Sequence, residues 1–224
     1  MGLERACSPR APGASLGRHV ATPVAETMTG SDYHFLTRWE LEASPQEVFE
    51  LVADAPSYPR WWPSVFLEAR VIEPGNERSV GRLVEARTAT FLFLSMRWRY
   101  RVTAAHAPGR LAVETTGDLE GLGLWTFEGR ERNTVARFNW RGRVMRAPFR
   151  ELPTLLGPLA RSCHRWAMER GFTSLLLEIW RRRTDDQEAR DWLPRPPGPA
   201  FPRNLRPWRP ADATPPTDQS PRAA

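Results

Sequence analysis

The chain has 224 residues and a net charge of +6, and all 32 of its basic residues are arginine. No run approaches the roughly 20 apolar residues of a membrane-spanning helix, and no nucleic-acid motif accompanies the charge. The 22 prolines crowd toward the two ends, leaving a middle stretch of roughly 150 residues, a common size for one domain with its own core.

That distribution divides the chain into a disordered extension over 1–31, a folded domain over 32–184 and a disordered Pro/Arg-rich tail over 185–224. Six acidic side chains match six arginines between Asp185 and Arg222, so the excess charge belongs to the domain. The first 27 residues have arginines but no apolar core, and so do not read as a secretory signal. Met28 is an alternative start. Cys7 in the extension and Cys163 in the domain do not make a disulfide framework, which predicts a cytoplasmic setting.

Phe35, Thr37, Trp39, Leu41 and Ala43 alternate with Arg38, Glu40 and Glu42, the pattern of a half-buried strand from Tyr33. Ser44-Pro45-Gln46-Glu47 then forms a capping box with proline at the first helical position, opening a helix that carries Val48, Phe49, Leu51 and Val52. Pro56, Pro59 and Pro63 break the following segment into a turn or second small helix bearing Trp61 and Trp62. Adjacent indoles there are expected to face different ways, with one capping any cavity mouth or, equally, serving as a structural plug under the small helices.

Six more strands follow, over 65–73, 79–88, 91–104, 111–116, 124–130 and 134–145, with a glycine-punctuated turn from Gly117 to Gly123. Short connections predict antiparallel pairing. Met96, Trp98, Tyr100 and Val102 alternate with Arg97, Arg99 and Arg101. Phe138, Trp140 and Val144 alternate with Arg137, Asn139, Arg141 and Arg143. The sheet therefore has an aromatic face and an arginine face, and only the first belongs inside. The last element is a helix from Pro153 or Pro158 to Arg183; the shorter version has about 26 residues and a length of roughly 39 Å. His164, Met168, Gly171 and Leu175 share one stripe of it. Leu159, Trp166, Leu177 and Trp180 form a second apolar side, as in a helix that something else surrounds.

The predicted class is α+β: a curved antiparallel sheet of seven strands wrapped around a long C-terminal helix, with two small helices after the first strand. A strongly curved sheet cannot touch a straight helix along its whole length, so a gap between them is expected. The large residues nearest that gap are Trp39, Trp61, Trp62, Trp98, Trp125, Phe138 and Trp140, and an apolar pocket with few polar groups is the usual form of a small-molecule site.

Four stretches resemble the START-like (SRPBCC) superfamily of helix-grip proteins, in the polyketide cyclase/dehydrase-like group. Ala43 to Phe49 matches its first strand-to-helix junction, and Tyr58-Pro59-Arg60-Trp61-Trp62-Pro63 resembles its Tyr-Pro-x-Trp-x-Pro segment. Gly117 to Trp125 resembles its Gly-Asp-Leu-x-Gly-x-Gly-x-Trp strand, and His164, Met168 and Gly171 fit its pattern Asn-His-x-x-x-Met-x-x-Gly. Cys163 stands where that pattern has Asn. The resemblance implies a cavity more than a reaction, since relatives include cyclases as well as quinone- or lipid-binding proteins.

The residues expected to line the ligand site are Trp39, Trp61, Trp62, Trp98, Tyr100, Trp125, Phe138, Trp140, His164 and Met168. His164 and Tyr100 are also the candidates for moving a proton. Asp118 and Glu120 read as turn chemistry. Nothing forms a metal cluster, a phosphate-cradling glycine loop or an activated nucleophile, so neither metal nor cofactor is expected. The leading expectation is a binder or carrier of a lipid, quinone or polyketide-like molecule. A polyketide cyclase, aromatase or dehydratase acting in the same cavity is the alternative. A weaker third reading is a basic module docking through its arginine face on an anionic partner or, peripherally, a membrane; nucleic acid is not expected as a partner.

Overall fold

Where Tyr33, Phe35, Thr37, Trp39 and Leu41 alternate with more polar neighbours, the chain runs as a strand with that set of side chains buried. The computed structural model describes residues 20–201 apart from 30, 93, 131 and 132; the disorder expected for 1–19 and 202–224 lies outside them. The elements are β1 (Val20–Thr29), β2 (Asp32–Leu41), α1 (Pro45–Ala53), a 3-10 turn (Ala55–Ser57), α2 (Tyr58–Trp61) and β3 (Phe66–Glu73). They continue with β4 (Leu83–Ala89), β5 (Ser95–His106), β6 (Arg110–Gly117), β7 (Leu119–Arg130), β8 (Asn133–Val144), α3 (Pro153–Arg183) and α4 (Gln187–Asp191).

The expected α+β helix-grip architecture is present, with one strand more than predicted. A single antiparallel sheet runs in the order β1-β2-β8-β7-β6-β5-β4-β3. The added strand, β1, lies in the stretch read as a disordered extension. Its segment VATPVAETMT hid it, because a proline inside a run argues against a strand. Here Pro23 is tolerated because β1 is at the sheet edge and its pairing with β2 slips between Pro23 and Ala25. Arg165 of α3 reaches Glu26 of β1 at 3.0 Å, tying the edge strand to the helix. Likewise α4 falls within the tail read as disordered; Asp186 caps it by accepting from the Glu188 N–H.

The capping box is complete: Ser44 accepts from the Glu47 N–H, and the Glu47 carboxylate accepts from the Ser44 N–H. The glycine-punctuated stretch is mostly strand. Only Asp118 lies between the two strands, after Gly117 ends β6 at φ 103, and Asp118 binds both backbone groups of Arg97. The sheet curls where Gly121 faces Gly142 across β7 and β8. A Cβ on Gly142 would lie 2.0 Å from the Glu120 carbonyl oxygen, so the two backbones approach closer than any side chain allows.

The core holds α3 along its second half, where Phe172, Leu175 and Ile179 are buried against β2 and α1 residues. At 31 residues the helix is about 46 Å long; it starts at Pro153 and carries Pro158 inside it. α2 is clamped to it twice. The Glu178 carboxylate, 3% exposed, accepts two hydrogen bonds from Arg60 at 2.8 and 3.0 Å and one from Arg182 at 3.3 Å, the paired state that a buried carboxylate requires. Next to this pair, the Trp62 indole lies on the backbone of Gly171, where a Cβ would fall 2.3 Å from the ring.

Gly171→Ala sets two effects against each other. Alanine favours the helix by about 1 kcal/mol, while forcing a methyl into a packed ring costs about 1–3 kcal/mol, occasionally more. The expected outcome is net destabilisation, seen as a lower urea midpoint, and its partial relief in Gly171→Ala/Trp62→Phe. A stabilised single variant would overturn this account of the contact.

Candidate functional site

Between the aromatic face of the sheet and the first half of α3 lies a cavity of about 210 Å³. That is room for roughly seven waters at liquid density, and it is smaller than the ~300–1,000 Å³ of sites for drug-sized ligands. The α3 residues on its wall are Ala160, Cys163, His164, Ala167 and Met168, all from the first half of the helix. The N-terminal part of α3 also reaches β2, through Ala160 packed with Tyr33 and Phe35 and through the Tyr33 hydrogen bond to the Pro153 carbonyl, so the gap lies between residues 160–168 of the helix and strands β4 to β7.

All ten residues expected from sequence line this one cavity: Trp39, Trp61, Trp62, Trp98, Tyr100, Trp125, Phe138, Trp140, His164 and Met168. Strand parity explains six of them, and helical spacing a seventh. Trp39 on β2, Trp98 and Tyr100 on β5, Trp125 on β7, and Phe138 and Trp140 on β8 occupy inward positions, and Met168 follows His164 by one helical turn on α3. Trp61 and Trp62 differ from expectation. Instead of diverging, their rings stack at 5.5 Å and 25°, and both are buried. The helix ends at Trp61, and Trp62, its C-cap, has left helical geometry with φ −122 and ψ 51. Neither ring caps a mouth.

Sequence reasoning ranked Tyr58 below Tyr100 as a pocket phenol and missed Arg82, Phe35, Thr88, Thr90, Cys163 and Arg146 on the same wall. Arg82 was legible in principle. It continues the inward set formed by Val84, Ala86 and Thr88 along β4.

Few of the polar groups here are available to a ligand. Thr88 accepts from the Trp98 indole at 2.9 Å, Thr90 donates to the carbonyls of Leu92 and Leu94, and Thr115 donates to that of Gly121. Trp61 donates to Ser57. Of the three tyrosines, Tyr33 donates to the Pro153 carbonyl and Tyr58 to that of Val52. Arg146 sits 3.6 Å from Asp118. Without a hydrogen-bond partner among the described residues are the buried indole N–H groups of Trp39 and Trp62, the Tyr100 hydroxyl, for which burial raises the pKa well above the phenol range, and the terminal nitrogens of Arg82, whose Nε alone is engaged. All four can donate.

His164 is part of the wall. Its ring stacks on Phe35 at 4.3 Å, and Nε2 lies 3.2 Å from the Thr37 hydroxyl, where either group can donate. Burial lowers its pKa from 6.5 to about 3, so the imidazole is neutral at ordinary pH and a poor proton donor. Burial also pushes the Cys163 thiol up to about 11, which leaves little thiolate to act as a nucleophile. Among the described residues no group of His, Cys, Asp or Glu is placed to hold a metal ion, and no helix is long and apolar enough to cross a membrane.

The outer face is less positive than its arginine count suggests. Of the six arginines singled out there, Arg99, Arg101, Arg137 and Arg143 pair with Glu85, Glu73, Glu128 and Asp32.

Residues 32–179 match the family described as "Polyketide cyclase / dehydrase and lipid transport", and the chain belongs to that family. Among solved structures it is similar to a START superfamily protein from Mycobacterium smegmatis, with 15% identity, TM-score 0.54, and coverage of 67% of this chain and 99% of that one. It is also similar to the Zhui aromatase/cyclase of a Streptomyces species, with 18% identity, TM-score 0.53, and coverage of 69% and 97%. At these identities the likeness is one of fold, the START-like helix grip. Among curated proteins, none matches the chain in sequence.

The His164 shift predicts a pH dependence. The unfolded state takes up a proton at pH 6.5 that the folded state refuses until about pH 3, so stability is complete above 6.5 and is lost as pH falls toward 3. At pH 5 the loss is about 2 kcal/mol, or roughly 4–8 °C in Tm. Thermal melts at pH 7.5 and 5 should show it, and His164→Gln should flatten the difference. An unchanged pH dependence in that variant would show that His164 is not its source.

Proposed function

We propose that this member of the polyketide cyclase/dehydrase and lipid transport family binds one small hydrophobic molecule in the cavity beneath α3 and acts as its binder or carrier. The observation that carries the reading is the accounting of polar groups. The wall is aromatic, its threonine hydroxyls and one of its guanidiniums are engaged within the protein, and the unengaged Tyr100 phenol and Arg82 terminal nitrogens are donors suited to a ligand oxygen. Orientation of a guest needs only such fixed donors in an apolar site. Proton transfer near neutrality needs a group with a pKa near 7, whereas burial moves His164 and Tyr100 away from it, down and up respectively.

The volume narrows the guest. About 210 Å³ suits a one- or two-ring aromatic or a medium-length alkyl chain rather than a whole phospholipid, whose tails alone need more than the ~300 Å³ at the small end of ligand sites. A cyclase acting in the same cavity is the second reading, favoured by the shared fold of the Streptomyces aromatase/cyclase. In that case the Trp39 and Trp62 N–H groups would hold a poly-β-keto chain in one reactive geometry.

Six of the ten tryptophans line the cavity, so intrinsic fluorescence reports on occupancy. Titration with decan-1-ol and 2-naphthalenemethanol should give a saturable one-to-one change. Ala167→Trp, which fills the cavity from α3, should weaken both at least tenfold without lowering Tm. A flat response to both compounds, with nothing extractable from the purified protein by organic solvent, would end the binding proposal.

A further inference from the structure

Resting on that binding reading, we infer that the guest carries a carboxylate, seated where Arg82 and the Tyr100 hydroxyl meet at the β4–β5 end of the cavity.

The register places these two groups together. The Val102 N–H donates to the Arg82 carbonyl at 2.9 Å, which sets Arg82 opposite Val102, and Val84 pairs with Tyr100. Arg82 and Tyr100 are therefore diagonal neighbours on the inward face of adjacent strands, a separation long side chains bridge. Both line the cavity. The Arg82 charge bears on the phenol, lowering its pKa against the larger effect of burial.

Neither group is committed elsewhere. Arg82 Nε donates to the Pro74 carbonyl at 3.2 Å, which orients the guanidinium and leaves its two terminal nitrogens without a partner among the described residues. No carboxylate pairs with it, although the opposite end of the cavity shows the usual solution, Arg146 beside Asp118. Asp54, which caps α1, is close enough to raise the pKa of Tyr100, yet makes no ion pair with Arg82. A half-buried guanidinium on an apolar wall is stabilised by an anion it can grip with two parallel N–H groups, and a carboxylate has that shape. The Tyr100 hydroxyl adds a third donor. With one cation available and Asp54 nearby, a monoanion fits better than a dianionic phosphate.

The test compares matched pairs at pH 7.5 by tryptophan fluorescence: decanoate with decan-1-ol, 2-naphthoate with 2-naphthalenemethanol, and decyl phosphate as a third arm. The expected result is that each acid binds at least tenfold tighter than its alcohol and that decanoate outbinds decyl phosphate. Arg82→Met should reduce the acid preference to twofold or less with alcohol affinity unchanged. Arg82→Lys should retain most of it, and Tyr100→Phe should lower acid affinity severalfold. Tm reports that all three variants are folded, and unchanged alcohol binding reports it independently for the two Arg82 variants. Acid and alcohol binding equally, or a preference that survives Arg82→Met, overturns the headgroup assignment while leaving the cavity reading intact. A phosphate bound tighter than the carboxylate also overturns it. Failure of every compound to bind removes both.

Discussion

The placement of α3 governs everything else in this protein. Its second half is pinned to the small helices by the Trp62 indole on Gly171 and by the Arg60–Glu178 pair, and to β2 by Phe172 against Trp39, with ring centroids 6.0 Å apart. A glycine is needed at 171 because no side chain fits beneath that ring. The first half of the helix is held to β1 and β2 by Arg165 on Glu26, His164 on Phe35 and Thr37, and Ala160 packed with Tyr33 and Phe35. Between its residues 160–168 and strands β4 to β7 the two surfaces do not close, and that gap is the cavity.

Within that gap the chemistry follows from which polar groups have already found partners. A buried hydroxyl or amide left without a partner costs on the order of 1–3 kcal/mol, and β4, β5 and β6 avoid that cost by pairing Thr88, Thr90 and Thr115 internally. The exceptions are therefore informative. Two indole N–H groups, one phenol and one guanidinium remain, all donors, in a wall that otherwise offers aromatic carbon. Such a surface is complementary to an oxygen-bearing apolar molecule. His164, the residue with the most obvious chemical potential, is used instead as a neutral ring stacked on Phe35 and anchored through Thr37.

The outer face illustrates how a net charge can mislead. Arginines alternate with aromatics along β5 and β8 because the outward positions must be polar, yet the acidic residues that neutralise them come from neighbouring strands. Glu85 alone pairs with Arg70 and Arg99. Exposed pairs of this kind contribute little stability each, but together they remove much of the field that an anionic partner would follow.

The helix-grip architecture was readable from local rules. The capping box at Ser44, the inward aromatics of β5 and β8, and the change to helical spacing before Arg183 are short-range signals, set by side-chain period and backbone propensity. Six of the ten cavity residues followed from strand parity, because in this fold the inward face of the sheet is the cavity wall, and His164 and Met168 from the helical stripe of α3. Other features were decided only in three dimensions. β1 has no alternation of its own and exists because β2 offers it an edge and Arg165 holds its Glu26. The stacking of Trp61 on Trp62 depends on where a short helix stops. Whether a donor is spare depends on partners contributed by distant strands, so Tyr58 and Tyr100 look alike in the sequence although one hydroxyl is engaged and the other is free. Period and propensity act between neighbours along the chain, whereas a cavity and its unpaired groups arise from what the folded chain fails to bring into contact.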